Sequence, residues 1–312
     1  MKTIFKLPTK IVSKAMARND KKVKSKLPKI EGVNQYLSYN YASKDKKDFR
    51  KFNLYKPKIE SVNLPLIIDI HGGGWVYGDK ELNDNYAMYL ASKGYNVVTF
   101  SYRLLTDTNL KGMVQDIFAF LNYLYKNKGK YEISFDDVMI SGDSAGGHLA
   151  LLTLAINQNK FLLDAYEVEP FTFNVDFLVL EHQVPYIDHI FNETNFINKI
   201  LNKEMQNSFY KPLDEKGLII KQYANLNDFI KLAKYPPILC VSGDKDELKP
   251  FYDRSLKEFD ENGVIYESKV YENMFHVFQV LNFDLPESEE FNDYSLQRFE
   301  EIIKSKGDKA YE

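Results

Sequence analysis

From about residue 64 onward, the sequence alternates short apolar runs with longer amphipathic segments. The run LPLIIDI at 64–70 is followed by a helical pattern, and the same order recurs over 95–126 and 138–157. This rhythm is typical of a mainly parallel sheet that carries helices on both faces. Two shorter segments between residues 33 and 63 alternate polar and apolar side chains, which favours an antiparallel pair of edge strands. The sequence therefore predicts the α/β fold class.

The rhythm stops over residues 185–235, where aromatic and polar residues occur without a strand-like run. A structureless loop of this length is unusual inside a domain, so we expect a helical insertion that forms a lid. Residues 1–63 are assigned to an N-terminal cap segment with the edge strands, and residues 64–312 to the main domain. A chain of 312 residues is long enough to bury one large core.

The charge of the chain gives no general reason to bind nucleic acid, since the formal net charge is −3. Residues 1–30 differ, with ten Lys or Arg against one acidic residue, Asp20. This segment favours a solvated cap, with a helix on a membrane surface as the alternative. Lysines interrupt any secretory signal, and no apolar run approaches the length of a membrane span. With Cys240 as the single cysteine, we expect a cytoplasmic protein without stable membrane insertion; a homo-oligomer is left open.

The stretch ISGDSAGGHLA places Gly142, Ser144 and Gly146 in a Gly-x-Ser-x-Gly pattern between a predicted strand and a predicted helix. Small residues on both sides of the serine allow a sharp turn that exposes its hydroxyl at a helix N-terminus. The alternative is a glycine-rich turn whose serine only caps the helix. A nucleophilic serine also needs a base, and an acid that orients the base.

Candidates for both partners follow the serine at the ends of later predicted strands. His276 ends the last strand, and Asp244 and Asp246 both follow the strand before it. His71 and His148 are expected to be structural hydrogen-bonding residues. Neither an HExxH spacing nor a cysteine cluster is present, so we expect no metal and no cofactor.

The motifs HGGGW at 71–75, YRL at 102–104, GDSAGG at 142–147 and YENMFH at 271–276 resemble the hormone-sensitive-lipase-like branch of the α/β-hydrolase esterases. The resemblance implies an α/β-hydrolase fold and carboxylic ester hydrolysis by Ser144, Asp246 and His276. It also implies an oxyanion hole formed by the amides of Gly73, Gly74 and Ala145, with Gly72 as an alternative donor. The chain departs from this pattern where similar enzymes have glycine, at Asn273 and Val277.

We therefore expect a serine hydrolase that cleaves short- to medium-chain esters as small-molecule substrates. An amide-directed hydrolase, such as an arylformamidase or a peptidase, could use the same residues. A non-catalytic ligand-binding protein on the same fold is the third interpretation.

Overall fold

A computed structural model describes residues 14, 17, 18, 20–24, 26–42, 49–59, 63–190 and 208–309. Within these residues one eight-stranded sheet runs through the molecule. The strands are β1 Val33–Asn40, β2 Lys51–Pro57, β3 Leu66–Ile70, β4 Asn96–Phe100, β5 Val138–Asp143, β6 Phe177–Glu181, β7 Ile238–Gly243 and β8 Tyr266–Tyr271. Their order in the sheet is β1-β2-β4-β3-β5-β6-β7-β8. Strand β2 pairs antiparallel with β1 and with β4, and all other neighbours are parallel.

Helices connect the parallel strands and cover both faces of the sheet. They are α1 Asp84–Ser92, α2 Leu110–Lys126, α3 Lys128–Tyr131, α4 Ala145–Asn157, α5 Lys160–Tyr166, α6 Ile187–Ile190, α7 Glu215–Gln222, α8 Leu226–Phe229, α9 Lys249–Glu261, α10 Phe278–Leu281 and α11 Pro286–Lys309, with a 3₁₀ turn at Ile230–Leu232. None of the helices described is long and apolar enough to cross a membrane. The predicted fold class is confirmed.

Two apolar clusters divide the core, one on each face of the sheet. Side chains of a strand point alternately to opposite faces, so neighbouring residues enter different clusters. Ile68, Ile140 and Leu178 pack with α2 and α4, whereas Ile67, Met139 and Val179 pack with α1, α10 and α11. The central strands are buried on both faces, which explains their continuous apolar runs.

The predicted insertion at 185–235 contains α6, α7, α8 and the 3₁₀ turn where it is described, while residues 191–207 lie outside the described part. Three of the aromatic side chains in this region, Tyr186, Phe209 and Tyr210, are buried in the core. These three aromatics therefore serve packing.

Candidate active site

Ser144 lies at the sharp turn between β5 and α4. Its backbone φ of 49° and ψ of −113° are unusual for a residue with a side chain. The turn is held by a hydrogen bond from the Ser144 amide to the carbonyl of Glu181, at 2.8 Å. The strained turn places the hydroxyl at the N-terminus of α4, above the carboxyl edge of the sheet.

The glycines around Ser144 are required by close backbone approach. A Cβ on Gly146 would lie 1.8 Å from the carbonyl oxygen of Ile70, and one on Gly142 would lie 2.8 Å from the carbonyl carbon of Gly146. Helix α4 therefore crosses the end of β3 at a distance that only glycine allows. The Gly-x-Ser-x-Gly pattern is explained by this packing.

Two later strands, β7 and β8, bring the expected partners to the serine. His276, which follows β8, has Nε2 at 3.0 Å from Ser144 Oγ. Its Nδ1 lies 2.9 Å from Oδ2 of Asp246, which follows β7. Parallel strands end at one edge of the sheet, so His276 meets Ser144 there across a separation of 132 positions in sequence, and Asp246 across a separation of 30. The arrangement has the geometry of a nucleophile, a base and an acid that orients the base.

Asp246 is the better placed of the two candidate acids. Besides His276, its carboxylate accepts a hydrogen bond from the Leu248 amide at 2.8 Å, and it contacts His182 Nδ1 at 2.6 Å. Burial acts to raise the pKa of Asp246, but the hydrogen bonds from His182 and His276 outweigh burial and hold this pKa below its usual range. Asp244 is partly exposed, and its carboxylate pairs with Lys245 at 3.5 Å.

His182 was not among the predicted site residues, although it contacts Asp246 directly. It follows β6 and is fully buried. The one signal in the sequence was its position directly after a predicted strand, where the other site residues also lie. Ligand atoms of His182, Asp246 and His276 lie within 4.8 Å of one another, as a metal site requires. The nitrogen-to-oxygen separations of 2.6 and 2.9 Å are hydrogen-bond distances, so the three side chains form a hydrogen-bonded cluster.

The loop of three glycines faces the serine from the end of β3. The Gly72 amide donates to Asp143 Oδ1 at 2.8 Å, so it is not available to a substrate oxygen. Gly73 and Gly74 line the same cavity as Ser144 and have positive φ values of 90° and 60°. Ala145 is the first residue of α4. Gly73, Gly74 and Ala145 thus lie around the serine, whereas the amide of Gly72 is hydrogen-bonded to the Asp143 carboxylate.

Buried side chains hold this loop in place. The ring of His71 stacks on Tyr102 with centroids 4.3 Å apart, and the Tyr102 hydroxyl donates to the His71 carbonyl at 2.6 Å. His71 Nδ1 lies 3.0 Å from the Gly72 carbonyl, and burial lowers the pKa of His71 to about 4. Next to Tyr102, Arg103 forms an ion pair with the buried Asp116 at 2.7 Å. The YRL motif therefore supports the glycine loop from behind.

His148 joins the glycine loop to the insertion. The indole of Trp75 lies 3.3 Å from His148 Nδ1, and His148 Nε2 lies 2.8 Å from the Ala224 carbonyl. Accepting from the indole and donating to the carbonyl requires a neutral ring with its proton on Nε2. Burial lowers the pKa of His148 to about 4, which favours that neutral form. As expected, His71 and His148 contact the backbone and not the serine.

Three buried carboxyl groups lie behind the nucleophile turn. Asn83 bridges Asp69 and Asp143, with its amide 3.0 and 2.8 Å from their carboxylates. Glu181 accepts from the Tyr86 hydroxyl at 2.7 Å, and burial raises the pKa of Glu181 to about 8. Burial also raises the pKa of Asp69 well above its usual value. Asp69 and Glu181 do not line the cavity. Their part in this polar layer is to support the turn.

The cavity above Ser144 has a volume of about 270 Å³. Asp20 and Val23, from the basic N-terminal segment, form part of its wall, and Asp20 accepts a hydrogen bond from the Tyr77 hydroxyl at 3.0 Å. Residues of the glycine loop and of the histidine turn line the rest of the cavity. Its apolar wall is formed by Leu82, Leu248, Val277 and Leu281.

The two positions at which the chain lacks glycine both have left-handed backbone conformations. Asn273 has a φ of 60° and Val277 a φ of 57°. Asparagine tolerates this region, whereas a β-branched residue is strained there. Val277 nevertheless remains buried and lines the cavity beside His276. The departure at Val277 therefore adds both strain and apolar bulk to the histidine turn.

Solved esterase structures share this architecture. Esterase B from Lactobacillus rhamnosis is 30% identical, with a TM-score of 0.92, and the match covers 99% of this chain and 98% of that one. A structure of the same esterase inhibited by a C4-C4 tributyrin phosphonate gives 31% identity, a TM-score of 0.89 and 98% coverage of both chains. The fold and the serine site thus define an α/β-hydrolase esterase, a carboxylesterase-type serine hydrolase.

The family assignment follows from the sequence match. The model of the BD-FAE family matches residues 52–258, so the chain belongs to this family. An α/β hydrolase of Acanthamoeba polyphaga mimivirus is 23% identical over 239 residues, which are 73% of this chain and 65% of the relative. A kynurenine formamidase of Salmo salar is 28% identical over 111 residues, 36% of each chain. The chain spans less than two thirds of the length of these two curated relatives. The predicted enzyme class is confirmed by the match to the esterase structures.

Proposed function

We propose that this protein hydrolyses short- to medium-chain carboxylic esters through an acyl-enzyme intermediate. The observation that carries the proposal is the unbroken line of hydrogen bonds from Asp246 through His276 to Ser144, at 2.9 and 3.0 Å. In this assignment Ser144 is the nucleophile, His276 the general base and Asp246 the acid that orients the histidine.

The reaction begins when His276 Nε2 accepts the proton of Ser144 as its Oγ attacks the ester carbonyl carbon. The new C–O bond gives a tetrahedral intermediate, and Asp246 stabilises the imidazolium through Nδ1. His276 then returns the proton to the leaving alkoxide, which departs as the alcohol. Water then attacks the acyl carbon while His276 Nε2 takes one of its protons. The bond between the acyl carbon and Ser144 Oγ breaks, His276 returns the proton to Oγ, and the carboxylic acid is released.

We propose that the amides of Gly73, Gly74 and Ala145 form the oxyanion hole. Backbone amides aimed at the developing negative charge are often the largest catalytic contribution, about 3–4 kcal/mol for one donor. Two observations support this set: Gly73 and Gly74 line the Ser144 cavity, and the Gly72 amide is occupied by Asp143.

The preference for small acyl groups is supported by the size of the cavity. Its volume of about 270 Å³ lies just below the range of roughly 300–1000 Å³ that is usual for small-molecule sites. The phosphonate in the structure of the Lactobacillus esterase is an analogue of tributyrin, an ester of short acyl chains. We propose a substrate of the same size class here.

We also propose that the N-terminal segment within 1–63 and the insertion at 185–235 form a cap on the main domain at 64–312. Asp20 and Val23 supply part of the cavity wall, and Ala224 is bound to His148 beneath the glycine loop. The HGGGW and GDSAGG motifs support a place in the hormone-sensitive-lipase-like branch. A cytoplasmic location is proposed from the single cysteine, Cys240, which is buried.

The decisive experiment measures hydrolysis of p-nitrophenyl esters of increasing acyl length by the wild type and by Ser144→Ala. We expect turnover on acetyl to hexanoyl esters and a fall in kcat by a factor of about 10⁶ in the variant. Ser242→Ala is a matched control, because Ser242 is also buried, and its hydroxyl has a single, long hydrogen bond of 3.5 Å to a backbone carbonyl within the part of the chain that the structure describes. A wild type that cleaves no ester, or a fully active Ser144→Ala, would refute the mechanism.

Amide hydrolysis is the second candidate, favoured by the partial similarity to a kynurenine formamidase. The same nucleophile and base could cleave a formamide, since both reactions pass through a tetrahedral intermediate. Comparing kcat/KM for an aryl formamide with that for a matched ester decides between them. A higher value for the formamide would replace the ester assignment.

A further inference from the structure

His182 occupies a position in the fold between the nucleophile and the acid. It follows β6, which lies between β5 and β7 in the sheet. Its φ is 54°, and its amide donates to the Val241 carbonyl at 2.9 Å. This conformation is unfavourable for histidine unless the surroundings hold it. The chain thus maintains a strained backbone where the imidazole meets the Asp246 carboxylate.

Both histidines contact the same carboxylate oxygen. Asp246 Oδ2 lies 2.6 Å from His182 Nδ1 and 2.9 Å from His276 Nδ1, with the two rings nearly perpendicular at 82°. The second oxygen, Oδ1, accepts from the Leu248 amide. An ionised carboxylate only accepts hydrogen bonds, so each ring donates its Nδ1 proton. The proposed base therefore shares its acid with a second, fully buried histidine.

The other nitrogen of His182 fixes its charge. His182 Nε2 lies 3.2 Å from Oε1 of Gln279, whose Nε2 is buried and has no hydrogen-bond partner among the described residues. Turning the amide by 180° lets Gln279 donate to His182 Nε2, which gives a neutral ring with its proton on Nδ1. Burial lowers the pKa of His182, which also favours the neutral ring.

We propose that His182 is a positioning residue that donates a second hydrogen bond to Asp246, fixing the carboxylate and dividing its charge between two imidazoles. The inference rests on the proposed function, because it assigns His276 as the base. A carboxylate that already accepts from His182 attracts the proton on the His276 ring less strongly. Loss of the His182 donor therefore strengthens the attraction of Asp246 for a protonated His276 ring.

Besides His182 and His276 themselves, three acidic groups near the two rings could change the pH profile. Asp246 contacts both rings, and Asp143 acts on His276 through its charge. Glu181 lies close to Gln279, the second partner of His182. Removing the His182 donor leaves Asp143 and Glu181 in place, so a change in the pH profile reports the lost hydrogen bond to Asp246.

The test compares His182→Asn with His182→Leu, two side chains of similar shape. Asparagine places an amide donor where Nδ1 lies, whereas leucine places a methyl group there. With p-nitrophenyl butyrate between pH 5 and 9, we expect the acid limb of kcat/KM for His182→Leu to move up by about 0.5–1 pH unit. At pH 5.5 this costs about three- to tenfold in rate beyond the loss seen at pH 8.5. His182→Asn should restore the wild-type midpoint. An unshifted limb in His182→Leu, or an equal shift in both variants, would overturn the proposal.

A second measurement needs no variant of His182. In wild type labelled with ¹⁵N-histidine, proton NMR should show two strongly downfield Nδ1–H signals, and both should be lost in Asp246→Ala. One such signal, or a His182 protonated only on Nε2, overturns the proposal even if His182→Leu does not fold. A wild type without esterase activity would instead remove the proposed function, while the NMR signals would still decide the contact between His182 and Asp246.

Discussion

Replacing Gly73 and Gly74 by alanine, one at a time, distinguishes an effect on catalysis by the proposed oxyanion loop from an effect on protein stability. The two glycines are adjacent, and both have positive φ. They differ in their surroundings: a Cβ on Gly73 would lie 2.1 Å from the Tyr77 carbonyl oxygen, whereas a Cβ on Gly74 would have no atom within 4 Å. The same added methyl group therefore displaces the backbone at one position only.

The expected magnitudes follow from these distances. Gly74→Ala has only the left-handed conformation to overcome, about 1–2 kcal/mol, or a fall in Tm of a few degrees. The methyl group takes space at a residue that lines the cavity, so KM should rise by a factor of about two to five while kcat falls less than about tenfold. Gly73→Ala must in addition move a carbonyl oxygen by about 1 Å, which misplaces the neighbouring amides and should lower kcat by about 10²–10³-fold.

The assay combines kcat and KM for p-nitrophenyl butyrate with Tm and with titration of Ser144 by a phosphonate inhibitor. Titration counts the folded sites, so that a loss of turnover is not confused with a loss of folded protein. An ordinary stability of about 5–15 kcal/mol keeps both variants folded at 25 °C. A Gly73→Ala enzyme with wild-type kcat, or equal losses of kcat in both variants, would refute the assignment of this loop.

The remaining predictions concern the acid, the buried carboxyl and the histidine turn. Asp246→Asn should lower kcat by about 10³–10⁴-fold, because a neutral amide cannot accept from both imidazoles and from the Leu248 amide at the same time, while the exposed Asp244→Asn keeps activity; steady-state kinetics decide, and the reverse result would reassign the acid. The Glu181 pKa, raised to about 8, means that the folded state holds a proton that the unfolded state loses above pH 4.5, so this group reduces stability as pH rises from about 4.5 to 8. Glu181→Gln should therefore raise Tm relative to wild type more at pH 8 than at pH 5, and a pH-independent difference would contradict the burial argument. Val277→Gly should relieve strain but lose buried apolar area, for a small net change in Tm, and should raise kcat/KM for hexanoyl over acetyl esters; an unchanged ratio would show that Val277 does not limit the cavity.

Much of the architecture could be predicted from the sequence because it is encoded locally. Strands such as β3 and β5 are short apolar runs, and α2 follows the helical period of its apolar residues. The turn at Ser144 depends on small residues within two positions of the serine. The order of serine, acid and histidine along the chain also limited the candidates for the proposed site.

Contacts between distant segments could not be predicted in this way. The choice between Gly72 and its neighbours depends on Asp143, 71 residues away, whose carboxylate occupies the Gly72 amide. Asp244 and Asp246 are two positions apart and chemically identical, and only the path of the loop after β7 brings the second one to His276. Residues of the N-terminal segment reach the cavity wall without any motif that marks them.

Periodicity and glycine spacing act within a few residues, so the α/β fold class and the strand, turn and helix that carry Ser144 follow from local sequence patterns. The bond between the Gly72 amide and Asp143 and the contact between Asp246 and His276 depend instead on distances between strand ends, which are set by the packing of the whole sheet. The contact of His182 with Asp246 belongs to the second group. It arises because β6 lies between β5 and β7 in the sheet, an order that no local pattern contains.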